Sequence, residues 1–252
     1  MKYLKDFSSN YLIKALIYGD SGAGKTCLAS TFPGPICFLD FDNKLSSAFN
    51  YLGAHDPAQI EKIAYETFSS NRVTENPYKE FQKTLNSLEA AVVANKFNFK
   101  TVVLDSLTLY AESMMADVIK SNPNIKRAIP GHPSMTDYGI FGTNFRNDIG
   151  RLLSLPCNVI CIGHIKEVVD ETNGVSNYTV MLAGQAAKYA PKVFREVYRA
   201  FVKQEKDGIK RLLQTQPDGK FEVRTEMTGM PAVIPMSYQE LVKYQPKAKE
   251  QV

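Results

Sequence analysis

Several things are scarce in this 252-residue chain, and each scarcity excludes a class. No run approaches 18 consecutive apolar residues, so a transmembrane helix is not expected and neither is a membrane partner. The opening stretch "MKYLKDFSSN" lacks the apolar centre of a signal peptide. Cysteine occurs only at Cys27, Cys37, Cys157 and Cys161, never as C-x-x-C, and the three histidines are scattered. A zinc site or disulfide framework is therefore not expected, and the thiols read as buried and free in a reducing, cytoplasmic setting. No internal repeat or low-complexity tract is visible. The net charge of +4 permits a nucleic-acid partner without demanding one.

What is present fits one large α/β domain. Apolar residues make up 44% of the chain and charged residues 22%, ordinary values for a globular protein. We expect one domain over 1–245, with a core at about 10–203, a C-terminal hairpin and helix at about 204–245, and a flexible tail at 246–252.

The strongest signal is "IYGDSGAGKT". It fits G-x-x-x-x-G-K-[ST] at Gly19, Gly24, Lys25 and Thr26, between a buried strand "YLIKALIY" and a short helix. Glycines 19, 22 and 24 let successive backbone N–H groups point into one concavity, and the helix that follows adds its N-terminal donors. The expected nucleotide-binding stretch is Gly19, Asp20, Ser21, Gly22, Ala23, Gly24, Lys25, Thr26 and Cys27. Lys25 can reach the β- and γ-phosphates of ATP, and the Thr26 hydroxyl can ligate Mg²⁺.

Further strands are expected at 34–42, 99–106, 157–164 and near 193–203, with 56–70 ambiguous between strand and helix. Helices are expected over 76–96, where Phe81, Leu85, Leu88 and Val92 recur at helical spacing, and from Leu107 to about Lys120. Another carries Phe141, Phe145, Ile149 and Leu152 on one face. Loops are expected at 121–136 and 165–183, a hairpin turn at Pro217-Asp218-Gly219, and a last helix opened by a Ser237-x-x-Glu240 capping box. Alternation of apolar strands with helices implies a mainly parallel, doubly wound sheet.

Ligands of such sheets sit at the carboxyl ends of the strands. "VVLD" ends at Asp105, where a carboxylate after four apolar residues suits Mg²⁺, partly through water. "CFLDFD" ends in Asp40 and Asp42, either of which could orient or deprotonate an attacking water. The strand 157–163 leads to His164, which could hydrogen-bond a γ-phosphate.

These pieces, in this order, resemble the RecA superfamily of ATPases over about residues 10–203. "FLDFDN" is similar to the RecA strand whose second acid is catalytic, which places that role on Asp42. "VVLDSLTLY" resembles the Walker B segment. "ICIGHIK" resembles the strand ending in the γ-phosphate sensor, with His164 where RecA has Gln, and "LAGQAAKYAPKVFREVYRAF" is similar to the run after the second DNA-binding loop. The resemblance implies a RecA-like P-loop core with a C-terminal β-hairpin extension. It implies ATP hydrolysis assisted by Mg²⁺ and by Lys25, Asp42 and His164. Without RecA's N-terminal polymerisation element and large C-terminal domain, the chain looks most like the shortened single-strand annealing recombinases of phages.

The same resemblance implies single-stranded DNA as a partner, a homo-oligomer in a ring or filament, and a single-stranded DNA-binding protein nearby. DNA contacts fall in the two loops, on Lys126 and Arg127 in the first and Lys166 and Tyr178 in the second, with Asn173 and Asn177 able to hydrogen-bond. Lys188, Lys192, Arg195, Arg199 and Lys203 read either as a helical basic stripe or as a strand of alternating exposure. Basic residues there, or Lys220 and Arg224, could reach a neighbouring subunit's γ-phosphate, and the sequence does not choose among them. The competing readings are a small-molecule P-loop kinase, a helicase-like motor or loader, and a module that binds nucleotide without turnover.

Overall fold

Strand β1, Lys14–Gly19, is buried at every position, and its side chains divide by parity between two cores. Leu16 and Tyr18 join one apolar cluster and Ala15 and Ile17 the other, as expected of a strand covered on both faces. The structure is a computed structural model that describes residues 11–69, 76–169, 174–206 and 208–246.

Around β1 the sheet contains β2 (Ile36–Asp40), β3 (Ile63–Thr67), β4 (Thr101–Asp105), β5 (Asn158–Val169), β6 (Ser176–Val180), β7 (Glu196–Glu205), β8 (Gly208–Gln214) and β9 (Val233–Pro235). Their order is β3-β2-β4-β5-β1-β7-β8-β9, and β6 pairs with β5 off this path. The first six run parallel, whereas β8, β9 and β6 are antiparallel to their neighbours. This is the doubly wound α/β sheet that the strand–helix alternation predicts, with antiparallel strands added at its C-terminal edge.

One face is covered by α4 (Pro77–Val93), α5 (Leu107–Ser121), α6 (Met135–Ser154) and α7 (Gly184–Val193). α4 begins where Asn76 accepts from the Tyr78 and Lys79 amides, with Pro77 at a position that needs no donor. Its Phe81, Leu85 and Leu88 are buried, and so are Phe141, Phe145, Ile149 and Leu152 of α6. Each such side chain contributes roughly 1.5–3 kcal/mol of burial, and Phe145→Ala would cost about 3–5 kcal/mol. Asp148 of α6 ties the layer together by accepting from Tyr78 Oη at 3.0 Å, Tyr110 Oη at 2.8 Å and Gln82 Nε2 at 2.5 Å. The opposite face carries α1 (Lys25–Ser30) and α8 (Tyr238–Val242), where the Tyr238 and Phe32 rings lie 4.7 Å apart.

Several expectations need correction. The ambiguous stretch 56–70 holds both α3 (Pro57–Ile60) and β3, and an unexpected helix, α2 (Ser46–His55), precedes it. Residues 165–183 form no plain loop, because β5 continues to Val169 and pairs with β6 from Ile165↔Val180 outward; Asn173 lies outside the described residues. The basic series is split, Lys188 and Lys192 lying in α7, Arg199 and Lys203 in β7, and Arg195 in the link between them. The hairpin joins β7 to β8, with Glu205 opposite Gly208, and not at Pro217-Asp218-Gly219. There Asp218 Oδ1 accepts from the amides of Lys220 and Phe221 and redirects the chain toward β6. Ser237 caps α8 through the Gln239 amide, but Glu240 pairs with Lys243 and makes no reciprocal bond. The capping box stands at α6 instead, between Ser134 and Asp137. The expected tail beyond Pro246 lies outside the described residues.

Candidate active site

The strand order places β5 between β1 and β4, so the ends of three buried strands meet at one edge. In register, Gly19 lies beside His164, and Asp40 beside Asp105. Chain leaving β1 turns sharply at Gly22 (φ 78°) and Gly24 (φ 96°), left-handed conformations that favour glycine. Gly19 is required for a different reason, since a β-carbon there would lie 2.1 Å from the Ala200 carbonyl oxygen of β7.

Lys25 folds back over this loop, and its Nζ donates to the Gly19 and Asp20 carbonyls at 2.8 Å each. Burial lowers its pKa, with the carboxylates of Asp105, Asp20 and Asp42 opposing that shift. Next to it Thr26 Oγ1 donates to Asp105 Oδ2 at 2.6 Å. Asp105 is 2% exposed, and burial pushes its pKa up to about 6, against the Thr26 hydrogen bond.

The two acids after β2 have separate surroundings. Asp40 Oδ1 accepts from the Asp42 and Asn43 amides at 3.0 and 2.8 Å, which closes the turn and points it away from solvent. Asp42 instead lines a cavity of about 750 Å³ together with Lys25, Thr26, Asp105 and His164, and Lys44 Nζ lies 3.1 Å from its Oδ2. His164 is half-buried, and its pKa is lowered by burial and by the nearby Lys25. Its backbone is held on both sides, by Thr108 Oγ1 accepting from its N–H and by Met181 N–H donating to its carbonyl.

The Thr26 and Asp105 oxygens are hard donors set side by side, a pair that suits Mg²⁺, which keeps much of its water and shares phosphate oxygens. Among the described residues no group of three or more His, Cys, Asp or Glu could hold a metal by itself. The donor set therefore fits an ion that arrives with a nucleotide.

Sequence reasoning missed the other wall of this cavity: Tyr51 of α2, Arg211 of β8, and Met236, Ser237 and Gln239 after β9. No nucleotide-binding motif marks them; α2 brings Tyr51 to the cavity, and the pairing of β8 with β9 brings the others. Cys27 lines the same cavity, so it alone of the four thiols is not buried.

The expected DNA contacts separate. Lys126 and Lys166 are exposed. Arg127 is not available, because its guanidinium is 2.8 Å from buried Asp137 and also donates to the Ile119 and Asn122 carbonyls. That hydrogen bond holds the Asp137 carboxyl at about 2. Tyr178 stacks on Phe221 at 4.8 Å, and Arg199 covers Phe221 at 3.6 Å. With Asp20, Glu167 and Lys220 these three line a second cavity of about 440 Å³ against the phosphate loop. Arg224 is engaged by the Lys192 and Phe194 carbonyls, which removes it from the candidates for a neighbouring nucleotide.

Residues 12–225 match a protein family described as an AAA domain. No curated protein matches the chain. Among solved structures it is similar to a KaiC-like protein of the hyperthermophilic archaeon Pyrococcus horikoshii. That likeness has a TM-score of 0.43 and 15% identity, over 79% of this chain and 76% of that one.

Proposed function

The chain belongs to the AAA-domain family of P-loop ATPases, and from this premise we propose a RecA-like enzyme that hydrolyses ATP on single-stranded DNA during recombination or strand annealing. The observation that carries the ATPase part is the convergence of Lys25, Thr26, Asp105, Asp42 and His164 on one cavity. Backbone donors of the glycine turns cradle the phosphates, and Lys25 exchanges its two carbonyl partners for β- and γ-phosphate oxygens. Thr26 and Asp105 hold Mg²⁺, which when bound neutralises charge on the phosphate oxygens. Asp42, released from Lys44, accepts a proton from the attacking water, and His164 hydrogen-bonds the γ-phosphate and registers its loss.

The DNA part rests on the resemblance of the element order and on the exposure of Lys126, between α5 and α6, and of Lys166, in the outer half of β5. In this reading the protein acts as an oligomer, in the cytoplasm, of phage origin. The test is the Mg²⁺-dependent ATPase rate with and without single-stranded DNA. Stimulation supports the whole reading. Turnover without stimulation removes the DNA part, and phosphate transfer to a small acceptor would make the chain a kinase.

A further inference from the structure

Gly24 sits under a roof that belongs to the far end of the chain. A β-carbon built on it would lie 2.8 Å from Arg211 Cδ, 3.2 Å from Arg211 Nε and 3.6 Å from Met236 Sδ. This roof is anchored. The Met236 amide donates to the Arg211 carbonyl at 3.1 Å, and Ile234 pairs with Leu213, both side chains being buried. Beyond them the Phe32–Tyr238 ring contact and buried Leu241 fix the segment on the core.

The cavity beneath has two chemically different ends. Its carboxylates, Asp42 and Asp105, lie with Lys25 and His164 around the phosphate position. Lysine of this motif reaches the β- and γ-phosphates, so a nucleotide must send its base and ribose the other way. Arg211 and Met236 lie over Gly24, and with Ser237 and Gln239 they line the part of the cavity wall that carries no carboxylate. Arg211 has no hydrogen-bond or ion-pair partner among the described residues, so its planar guanidinium is available to an aromatic face. The Met236 thioether is polarizable and adapts to a ring. Ser237 Oγ donates to Gln239 Oε1 at 2.6 Å, which leaves the Gln239 Nε2 for an acceptor on a base edge.

We infer that Arg211, Met236 and Gln239 form a clamp for the nucleoside of the bound nucleotide, with the base against Arg211 and Met236 and its edge at Gln239. The inference rests on the nucleotide reading of the phosphate loop and adds what the β8–β9 extension is for: it discriminates a nucleotide from a bare polyphosphate.

Calorimetric titration with ADP and with tripolyphosphate, each with Mg²⁺, separates the two claims. Arg211→Ala and Met236→Ala should each weaken ADP by about tenfold, the scale of a lost stacking contact, and leave tripolyphosphate unchanged. Lys25→Ala should weaken both ligands. Far-UV circular dichroism and urea midpoints verify that the variants are folded. If Arg211→Ala binds ADP as the wild type does, or loses ADP and tripolyphosphate in parallel, the clamp is overturned while the phosphate loop stands. If the wild type binds neither ligand, the nucleotide reading falls and takes the clamp with it.

Discussion

Thr26 Oγ1 and Asp105 Oδ2 lie 2.6 Å apart and join the first turn of α1 to the end of β4 across the strand between them. Burial at this junction moves Asp105 from 3.8 to about 6. The folded chain therefore holds that proton to higher pH than the unfolded chain. The resulting penalty is absent below pH 3.8, grows between the two values, and is complete above about 6, where it amounts to roughly 3 kcal/mol.

Asp105→Asn should therefore stabilise the nucleotide-free chain at pH 7.5 and do little at pH 4. Asparagine keeps an acceptor for Thr26 but no charge, so Mg²⁺-dependent nucleotide binding should fall. Urea unfolding at both pH values checks the sign; an equal gain at each would show that Asp105 is not the titrating group.

Division of labour between the two acids after β2 gives a second test. Asp42→Asn should keep ATP binding and slow hydrolysis by about 10²–10⁴-fold, as for a lost general base. Asp40→Ala should act on the fold, costing ~1–3 kcal/mol by leaving the turn amides of Asp42 and Asn43 without their acceptor. Steady-state rates and denaturation on both variants decide it. Loss of turnover in a folded Asp40→Ala protein, with Asp42→Asn fully active, would reverse the roles.

Gly19→Ala should be among the most damaging small changes in the chain. The new methyl would meet a carbonyl in the paired strand β7, 2.1 Å away, and backbone in mid-sheet cannot step aside. We expect a loss of about 3 kcal/mol or more, read from thermal or urea unfolding. A variant that melts with the wild type would mean that β1 and β7 are spaced more widely at this point.

Arg127 and Lys126 are sequence neighbours with opposite expected phenotypes. Arg127→Ala strands the buried Asp137 carboxylate, so the fold should weaken at neutral pH. The contribution of this pair is present above the ordinary carboxylate range and is lost as pH falls toward 2. Lys126→Ala should leave stability alone and flatten the salt dependence of single-stranded DNA binding by roughly 0.7 log–log units. Equal stability of Arg127→Ala and the wild type at pH 7 would show that the guanidinium is not structural.

Legibility of the sequence followed the range of the signal. The phosphate loop is local: three glycines, a lysine and a threonine within eight residues state their own geometry. Phe141, Phe145, Ile149 and Leu152 likewise announce a buried helix face. The β5–β6 hairpin was hidden because its outer positions, such as Lys166, Glu167 and Asn177, are exposed on both faces and show no apolar alternation. At the C-terminal edge two turn signals compete. Asp207-Gly208 and Asp218-Gly219 carry the same hairpin dipeptide, and Pro217 beside the second marks a turn more visibly although the hairpin forms at the first. Arg127 looked like a DNA contact because charge is visible in sequence and a buried partner ten residues away is not. Arg211 carries no motif at all, and its place over Gly24 depends on the parallel pairing of β1 with β7 followed by the antiparallel pairing of β7 with β8.

The unbroken length of β5 has a mechanical consequence. Its 12 residues, rising about 3.3 Å each, make a strut of roughly 40 Å. The inner half is clamped between β1 and β4 and leads to His164 on the candidate nucleotide cavity, while the outer half is braced by β6, itself bridged to Phe221. No joint separates the two halves. A tilt of the outer ribbon is thus a torque on the histidine, and a pull on the histidine is a deflection of the ribbon. The candidate nucleotide cavity and the β5–β6 ribbon are two ends of one beam.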